Sequence, residues 1–351
     1  MIAKPDKILI IQLRRIGDVV LTTPVLEVIK KNYPEAKIDF LVEPPANEIL
    51  ENNPNINRIH TYEKNKSLKW ILKIRKLRYD WVIDFLGNPR SETIAALSGA
   101  KIKAGPANVF WRIGYNKILT KIEKPDYAAA EKIKMLSALG VTCDDETILP
   151  KVYLGDEHRT NAKNILLKVG VNVPLKDDEF LVGFSPTSRK ITRRYPEKNW
   201  IELAKIMLER LNCKIMVFWG PGEKDTAKYI VDAIGDNRVF LSPEIKSLKN
   251  LAAVLKHCEI LITNCNGTKH IATAVNTSTL TIHGASSPVA WTPKGFVQHQ
   301  YIKNENLNCS PCTKNTCSKD IECMRELAPE LVYEKAFKII SILAKQNTSF
   351  G

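Results

Sequence analysis

Short apolar runs alternate with amphipathic stretches along the first half of the chain. Each apolar run is continuous over about six residues, which is typical of strands buried on both faces of a parallel sheet. In the stretch 66–78, Trp70, Ile71, Ile74 and Leu77 share one helical face. The pattern predicts strands at 7–13, 37–42 and 81–86 and helices at 24–32, 66–78 and 128–139.

The second half of the chain repeats this alternation. The predicted strands are 180–185, 214–219, 259–263 and 279–283, and the predicted helices begin near Pro196, Glu223, Ser247 and Thr268. Strands that alternate with helices form parallel sheets covered by helices on both faces. The sequence therefore predicts an α/β protein with two doubly wound, Rossmann-like domains.

The domain boundary is predicted in 169–179, a stretch rich in turn-forming and charged residues. This places a first domain at 1–170, a second at 171–328 and a C-terminal helix at 329–351 that could pack back on the first domain. The apolar part of the N-terminus is short, lacks a small-residue cleavage site and passes directly into charged residues. We therefore expect the protein to stay in the cytoplasm.

Composition agrees with two real cores, since 44% of the 351 residues are apolar and 26% are charged. The formal net charge of +14 favours anionic partners, which include nucleic acid, an anionic membrane face and phosphorylated substrates. A merely solubilising surface explains the charge equally well.

The loop after the first predicted strand reads Arg14-Arg15-Ile16-Gly17-Asp18. Ligands bind at the carboxyl ends of strands in open parallel sheets, so Asp18 is a candidate general base. The alternative is that Asp18 caps the following helix. Arg14 and Arg15 are candidates for binding the phosphates or acidic sugars of an acceptor.

Two loops of the second half carry candidate anion-binding groups. The loop 185–196 holds four basic residues and four hydroxyls, a combination that suits a diphosphate, although nucleic acid or plain solvation would also use it. The loop 264–270 precedes a helix and ends in Lys269-His270, so backbone N–H groups there would face an anion.

The loop Gly220-Pro221-Gly222-Glu223 begins like a dinucleotide fingerprint, but Asp225 occupies the place of the third glycine. A nicotinamide-dependent oxidoreductase is disfavoured for that reason. Glu223 could accept a hydrogen bond from a ribose hydroxyl, or it could be a favourable charge in the first turn of a helix.

Eight cysteines divide into two groups. Cys143, Cys213, Cys258 and Cys265 are scattered, whereas Cys309, Cys312, Cys317 and Cys323 form a C-x2-C-x4-C-x5-C cluster. Reduced thiols are the expected state of both groups. Structural zinc in the cluster is an alternative, although the spacing differs from that of standard zinc fingers, and a disulfide is another.

Taken together, these stretches resemble glycosyltransferase family 9, the ADP-heptose:lipopolysaccharide heptosyltransferases. The resemblance rests on RRIGDVVLTTPVLEVIKKNYP, TRRYPEKNWIELA, TNCNGTKHIATAV and the cysteine-bearing tail CSPCTKNTCSKDIECMRELAPELV. It implies a GT-B fold, in which two Rossmann-like domains face each other across a cleft. It also implies an inverting transfer of heptose from ADP-heptose to the inner core of lipopolysaccharide.

The resemblance assigns the base role to Asp18 and donor contacts to a set of residues in the second domain. That set is Thr187, Ser188, Arg193, Glu223, Cys265, Asn266, Gly267 and His270. Two positions differ from the family. Lysine is frequent where Arg193 stands, and the family has an aspartate at the position of Cys265, which puts the donor sugar in question. The sequence contains no Asp-x-Asp triplet, so we expect no metal and no other cofactor.

The expected partners are an ADP-sugar donor and a lipid-linked anionic oligosaccharide acceptor. Seven lysines and arginines lie in 64–78, which could hold the enzyme at the inner face of an anionic inner membrane or at the acidic core of the acceptor. Nucleic acid is disfavoured because the chain lacks a recognisable binding module. The remaining alternatives are a family 9 transferase of another sugar and a non-catalytic binder.

Overall fold

The computed structural model describes residues 3–107, 114–143, 145, 147–175 and 179–348. The chain divides into two compact units, Met1–Tyr153 (unit 1) and Leu154–Gly351 (unit 2). Each unit has its own sheet and its own core, and each is described by itself below.

Unit 1 contains a six-stranded parallel sheet in the order β3-β2-β1-β4-β5-β6. Its strands are β1 (Lys7–Ile11), β2 (Lys37–Val42), β3 (Arg58–Thr61), β4 (Trp81–Asp84), β5 (Ile102–Gly105) and β6 (Lys117–Ile118). The order reverses between β1 and β4: β2 and β3 follow on one side of β1, and β5 and β6 follow on the other side of β4. Such a reversal point is where doubly wound folds bind their ligands.

The helices of unit 1 cover both faces of this sheet. They are α1 (Ile16–Val20), α2 (Thr23–Asn32), α3 (Ser67–Leu77), α4 (Pro89–Leu97) and α5 (Ala128–Met135), with 3-10 turns at Ala46–Leu50, Lys64–Lys66 and Leu136–Leu139. Ile8, Leu9, Ile10 and Ile11 of β1 are all fully buried, because helices pack on both sides of the central strand.

Unit 2 contains a second parallel sheet in the order β12-β11-β10-β7-β8-β9. Its strands are β7 (Phe180–Ser185), β8 (Cys213–Val217), β9 (Val239–Leu241), β10 (Ile260–Asn264), β11 (Ser278–Ile282) and β12 (His299–Ile302). When each unit is numbered from its own first strand, the two orders are the same. The expected pair of doubly wound, Rossmann-like domains is thereby confirmed.

The helices of unit 2 are α6 (Asp156–Leu167), α7 (Glu197–Arg210), α8 (Lys224–Ile234), α9 (Leu248–Leu255), α10 (Gly267–Ala274), α11 (Pro288–Trp291), α12 (Glu322–Arg325) and α13 (Pro329–Thr348). A 3-10 turn lies at Ile191–Arg193. The core of the unit is built around Phe184, Trp200 and Tyr195, whose rings contact one another between the sheet and α7.

Two packing contacts lie near the limits of the predicted domains. The C-terminal helix α13 packs against α7 and buries Val332, Ala336 and Ile339 in the core of unit 2. The apolar face of α13 is needed there to cover the sheet beside α7. The unit boundary falls after Tyr153, because α6 packs on α9 of unit 2. Residues 176–178 of the predicted linker and 349–351 of the predicted terminal helix lie outside the described residues.

Across the described residues, the helices include none with the length and apolar character needed to cross a membrane.

Candidate functional site

Both reversal points carry the loops that the sequence singled out. In unit 1 the loop after β1 holds Arg14, Arg15 and Asp18. In unit 2 the loops after β7 and β10 hold most of the predicted donor-binding residues. Each set therefore lies at the carboxyl ends of the two strands where ligands bind in this fold.

Asp18 is the third residue of α1 and is half-buried. Its Oδ2 accepts a long hydrogen bond of 3.4 Å from the backbone N–H of Arg15, the residue that caps the helix. Asp18 is thus not the N-cap residue itself, but it helps to cap the helix start from its third position, as in a capping box, and its carboxylate has capacity for further hydrogen bonds. Arg14 and Arg15 are exposed on the same loop.

A lysine from α5 reaches this loop. The Nζ of Lys132 donates to Oε1 of Gln12 at 2.9 Å, and Nε2 of Gln12 donates to the carbonyl of Arg14 at 2.6 Å. Burial lowers the pKa of Lys132 to about 8, while the carboxylates of Asp18 and Asp84 oppose the shift. Lys132 lies inside a predicted helix with no motif around it, so sequence reasoning missed it.

The neighbouring strand β4 ends in Asp84, a fully buried carboxylate. Its Oδ1 accepts from the backbone N–H groups of Leu86 and Gly87 at 2.8 and 3.2 Å, and its Oδ2 accepts from the hydroxyl of Tyr115 at 2.6 Å. Burial raises the pKa of Asp84, although these hydrogen bonds act in the opposite direction. Asp84 therefore fixes the loop after β4.

In unit 2, two asparagines join the loops after β7 and β10. The amide of Asn264 donates to the carbonyl of Pro186 and its Oδ1 accepts from the N–H of Tyr195 at 3.1 Å. The amide of Asn266 donates to the Ser185 hydroxyl at 2.8 Å and to the Thr187 carbonyl at 3.0 Å. These bonds hold the two loops in one fixed arrangement.

Asn266 is also the N-cap of α10, since its Oδ1 accepts from the N–H of Lys269 at 3.2 Å. Gly267 opens the helix, and an added Cβ there would meet nothing within 4 Å, which leaves the helix start accessible to a ligand. The N–H groups and the positive end of the helix dipole are suited to an anion.

His270 follows in the first turn of α10 and is buried beside Trp291, with ring centroids 5.8 Å apart. Its Nδ1 has no hydrogen-bond partner among the described residues. Burial holds the pKa of His270 well below its ordinary value, and the nearby charge of Lys269 lowers it further. The imidazole is therefore neutral near pH 7.

Lys269 is fully buried, and its Nζ donates to the carbonyl of Trp291 and to the Thr292 hydroxyl, the latter at 3.0 Å. Burial lowers the pKa of Lys269 to about 8. The sequence drew attention to Lys269 only because it precedes His270. Its contact with the C-terminal end of α11 could not be predicted from that position.

Arg193 lies at the end of the loop after β7. Its Nη1 is 4.0 Å from the Sγ of Cys265, and its buried Nε has no partner in the described part of the chain. The hydroxyl of Ser188 donates to the carbonyl of Cys265 at 3.4 Å. Arg193, Ser188 and Cys265 are thereby brought together.

Glu223 turns back toward the loop after β7. Its Oε2 accepts from the Thr187 hydroxyl at 2.5 Å and from the N–H of Gly220 at 3.0 Å. Glu223 is the N-cap residue of α8, yet its side chain makes no capping hydrogen bond. It therefore joins the loops after β7 and β8, and its Oε1 is available for a hydroxyl donor.

The cysteine-bearing tail is attached to the same end of the sheet. The N–H of Thr313 donates to the carbonyl of Ala285 at 2.7 Å, and the hydroxyl of Thr192 donates to the carbonyl of Lys314 at 2.9 Å. An added Cβ on Gly284 would lie 2.7 Å from the Sδ of Met324, so only glycine allows the tail to approach this closely.

The four clustered cysteines are free thiols in the structure. Burial raises the pKa of Cys323 to about 11, and the neighbouring thiols of Cys309, Cys317 and Cys312 raise it further. Among the described residues, no three His, Cys, Asp or Glu side chains form a group that could hold a metal ion.

Comparison with known proteins agrees with this architecture. The family model described as glycosyltransferase family 9 (heptosyltransferase) matches residues 68–321. Lipopolysaccharide heptosyltransferase 1 of Campylobacter coli is 27% identical over 314 residues, which are 80% of this chain and 84% of that protein.

Two solved structures show the same fold. A glycosyl transferase of family 9 from Veillonella parvula superimposes with a TM-score of 0.82 at 24% identity, covering 97% of this chain and 99% of that one. The Escherichia coli ADP-heptose lipopolysaccharide heptosyltransferase II superimposes with a TM-score of 0.78 at 18% identity, covering 96% and 99%. The expected GT-B fold is confirmed by these likenesses.

Proposed function

Because the chain belongs to glycosyltransferase family 9 and is a glycosyltransferase, we propose that it transfers heptose from ADP-heptose to the inner core of lipopolysaccharide. The relatives it resembles are named as lipopolysaccharide heptosyltransferases, and the charge of +14 suits an anionic donor and an anionic acceptor. We propose that the reaction takes place in the cytoplasm on a lipid-linked acceptor.

The observation that carries the proposal is a pair of buried nitrogen atoms without partners, one in the first turn of α10 and one in the loop after β7. The Nε of Arg193 and the Nδ1 of His270 have no partner among the described residues, and a buried polar atom without a partner is costly. A diphosphate would accept hydrogen bonds from Arg193 and from the N–H groups of Gly267 and the residues after it. Thr187 and Ser188 supply further hydroxyls, and Glu223 supplies an acceptor for a ribose hydroxyl.

In the proposed mechanism, Asp18 removes the proton of an acceptor hydroxyl. The oxygen attacks the anomeric carbon of the donor from the face opposite the ADP group, and the bond to the β-phosphate oxygen breaks. One displacement inverts the anomeric configuration. Negative charge grows on the departing diphosphate, and Arg193 together with the start of α10 stabilises it, so the proposed reaction is metal-independent. Arg14 and Arg15 bind the acidic groups of the acceptor.

Lys132 is a positioning residue in this mechanism. Through Gln12 it fixes the carbonyl of Arg14, and its charge lies near the carboxylate of Asp18.

A second candidate is the transfer of another nucleotide-activated sugar. Cys265 occupies the position of the family aspartate, is nearly fully buried and lies beside Arg193. A thiol is a weak acceptor, whereas a carboxylate accepts several hydrogen bonds from sugar hydroxyls. The sugar part of the donor is therefore the point at which this chain can differ from its relatives.

A thermal-shift panel of nucleotide diphosphates and nucleotide sugars, with and without EDTA, tests both candidates. A ligand that binds only the native state stabilises it by about 2.7 kcal/mol at a hundredfold excess over Kd. We expect ADP and ADP-heptose to raise the melting temperature equally in both conditions. A shift by another sugar nucleotide alone would favour the second candidate. If no nucleotide shifts the melting temperature, the donor site proposed for unit 2 is wrong and a non-catalytic binder becomes the better description.

A further inference from the structure

The solvent face of α3 combines exposed leucines with a group of basic residues. Trp70 and Ile74 anchor the other side of the helix in the core of unit 1. On the outer side, Leu68 is 70% exposed and Leu72 is 60% exposed. The two leucines are four residues apart, so they lie one turn apart on the same face. Folding of unit 1 does not require them there.

Basic side chains border these leucines on both sides. At 100° per residue, Arg75 lies on one flank of the pair, and Lys69, Lys73 and Lys76 lie on the other. We call Leu68, Leu72 and these four basic residues the α3 face. The helix itself contains no acidic residue.

The charges of the α3 face have few partners among the described residues: the charge of Lys69 acts on Glu63, and the Nζ of Lys73 lies 4.3 Å from the ring centroid of Trp70. In the described ranges, no carboxylate forms an ion pair with Lys69, Lys73, Arg75 or Lys76. The preceding turn differs, because Lys64 pairs with Glu43 at 3.4 Å and Lys66 with Glu63 at 2.5 Å. The uncompensated charge is thus concentrated around the two exposed leucines.

We propose that the α3 face docks on an anionic membrane surface. Lysine and arginine side chains bind anionic headgroups, and the leucines between them enter the boundary between headgroups and acyl chains. A soluble polyanion would attract the charges but would leave Leu68 and Leu72 in water. The exposed leucines therefore favour a lipid surface over an acidic oligosaccharide. The proposal agrees with a lipid-linked acceptor but does not depend on the donor site.

Sedimentation of the full chain with two kinds of vesicle tests the proposal. One kind of vesicle is pure phosphatidylcholine. The other contains about 30% phosphatidylserine, so that its surface carries the negative charge that attracts basic segments. We expect binding to the anionic vesicles, loss of most binding on raising the salt concentration, and little binding to the neutral vesicles.

Two variants separate the contributions of charge and leucine. K69Q/R75Q/K76Q should weaken partitioning onto anionic vesicles about 100-fold, since each basic residue near such a surface contributes about 1 kcal/mol. L68A/L72A should weaken it about tenfold or more, because it removes apolar groups that would enter the membrane. The altered side chains are exposed, so circular dichroism and the melting temperature should remain unchanged.

Matched controls lie in unit 2. K198Q/K205Q/K246Q changes the net charge equally, and L167A/L331A truncates two leucines that are 60% and 50% exposed. Both controls should bind vesicles like the unaltered chain. Equal binding to the two vesicles, or full binding by L68A/L72A, would overturn the proposal, and the second result would indicate a polyanion site. The ADP thermal shift, measured on the same samples, reports separately on the proposed donor site.

Discussion

Units 1 and 2 share one strand order but carry opposite chemistry at the point where that order reverses. The loops after β1 and β4 contribute the carboxylates of Asp18 and Asp84. The loops after β7 and β10 contribute Arg193 and the start of α10. The shared topology decides where a ligand can bind, and the side chains decide the chemistry proposed there, which is proton removal in unit 1 and anion binding in unit 2.

The strands beside the two central strands show this difference most directly. β4 ends in Asp84, which accepts hydrogen bonds from its own loop. β10 ends in the uncharged Asn264, whose amide can donate and accept, and which joins two separate loops. A neutral side chain at this position in unit 2 leaves the positive end of α10 unopposed, as an anion site requires.

The largest expected effect concerns Asp18, the proposed base of unit 1. Asp18→Asn keeps an oxygen that can accept from the N–H of Arg15 but removes the group that takes the proton. Turnover should fall about 10²–10⁴-fold, the usual contribution of a general base. The measurement is the rate of sugar transfer, with Asp145→Asn, an exposed carboxylate of the same unit, as control. The ADP thermal shift should persist, and normal turnover would refute the assignment.

The corresponding change in unit 2 should act on binding. Arg193→Ala removes charge-assisted hydrogen bonds of about 1.5–3 kcal/mol each, so ADP should bind about 10–100-fold more weakly. Arg193→Lys should lose less, because the charge remains while the paired geometry is lost. Isothermal titration calorimetry measures both, with Arg210→Ala, an exposed arginine paired with Glu330, as control. Equal affinities for the Ala variant and the control would remove Arg193 from the site.

Lowering the pH should affect the stability of the two units differently. Burial lowers the pKa of His299 to about 3 and that of His270 and His283 well below 6.5, and all three lie in unit 2. Below about pH 6.5 these histidines take up protons in the unfolded chain but stay neutral in the folded protein. Their contribution to the free energy of unfolding is therefore full above that pH and is lost below it. At pH 5 the loss is about 2 kcal/mol for His299 alone.

Asp84 of unit 1 responds in the opposite direction. Its folded pKa is raised by burial, so its contribution to stability is full at low pH and is lost as the pH rises through that pKa. Hydrogen exchange at pH 7 and pH 5, corrected for intrinsic rates, should therefore show loosening in β10–β12 and none in β1 and β4. Equal loosening of both sheets would contradict this account of the buried histidines.

The smallest expected effect comes from a matched pair of helix caps. Asn88 caps α4 through the N–H groups of Arg90 and Ser91, and Asn266 caps α10. Either change to alanine should lower the free energy of unfolding by about 1 kcal/mol in urea titrations. Only Asn266→Ala should also weaken ADP binding, because it releases the loops around the anion site. Weaker binding by Asn88→Ala would indicate a general loss of folding.

The sequence predicted the long central elements well. The strands Lys37–Val42 and Phe180–Ser185 match to the residue, since both are apolar runs bounded by charge or turns. The strands Arg58–Thr61, Ile102–Gly105, Lys117–Ile118, Val239–Leu241 and His299–Ile302 were missed. They are short and lie at or near sheet edges, and their state depends on pairing with a neighbour that local pattern does not reveal.

For the candidate site, the sequence located the loops but not the contacts between distant residues. Loops at strand ends could be located from the alternation, and the family resemblance supplied roles for residues within them. The placement of Lys132, which reaches Gln12 from a distant helix, has no local signal because it depends on tertiary packing. The hydrogen bond that the Thr187 hydroxyl donates to Glu223 joins residues 36 positions apart and could not be inferred for the same reason.

The packing of α13 has a consequence for synthesis of the chain on the ribosome. Unit 1 has all of its strands and helices once Tyr153 has emerged, so it can fold while the rest is still being translated. The core of unit 2 lacks Val332, Ala336 and Ile339 until α13 emerges, after all of the other strands and helices of that unit. Until then the sheet beside α7 is uncovered. The half that is proposed to hold the nucleotide is therefore the last to complete its core.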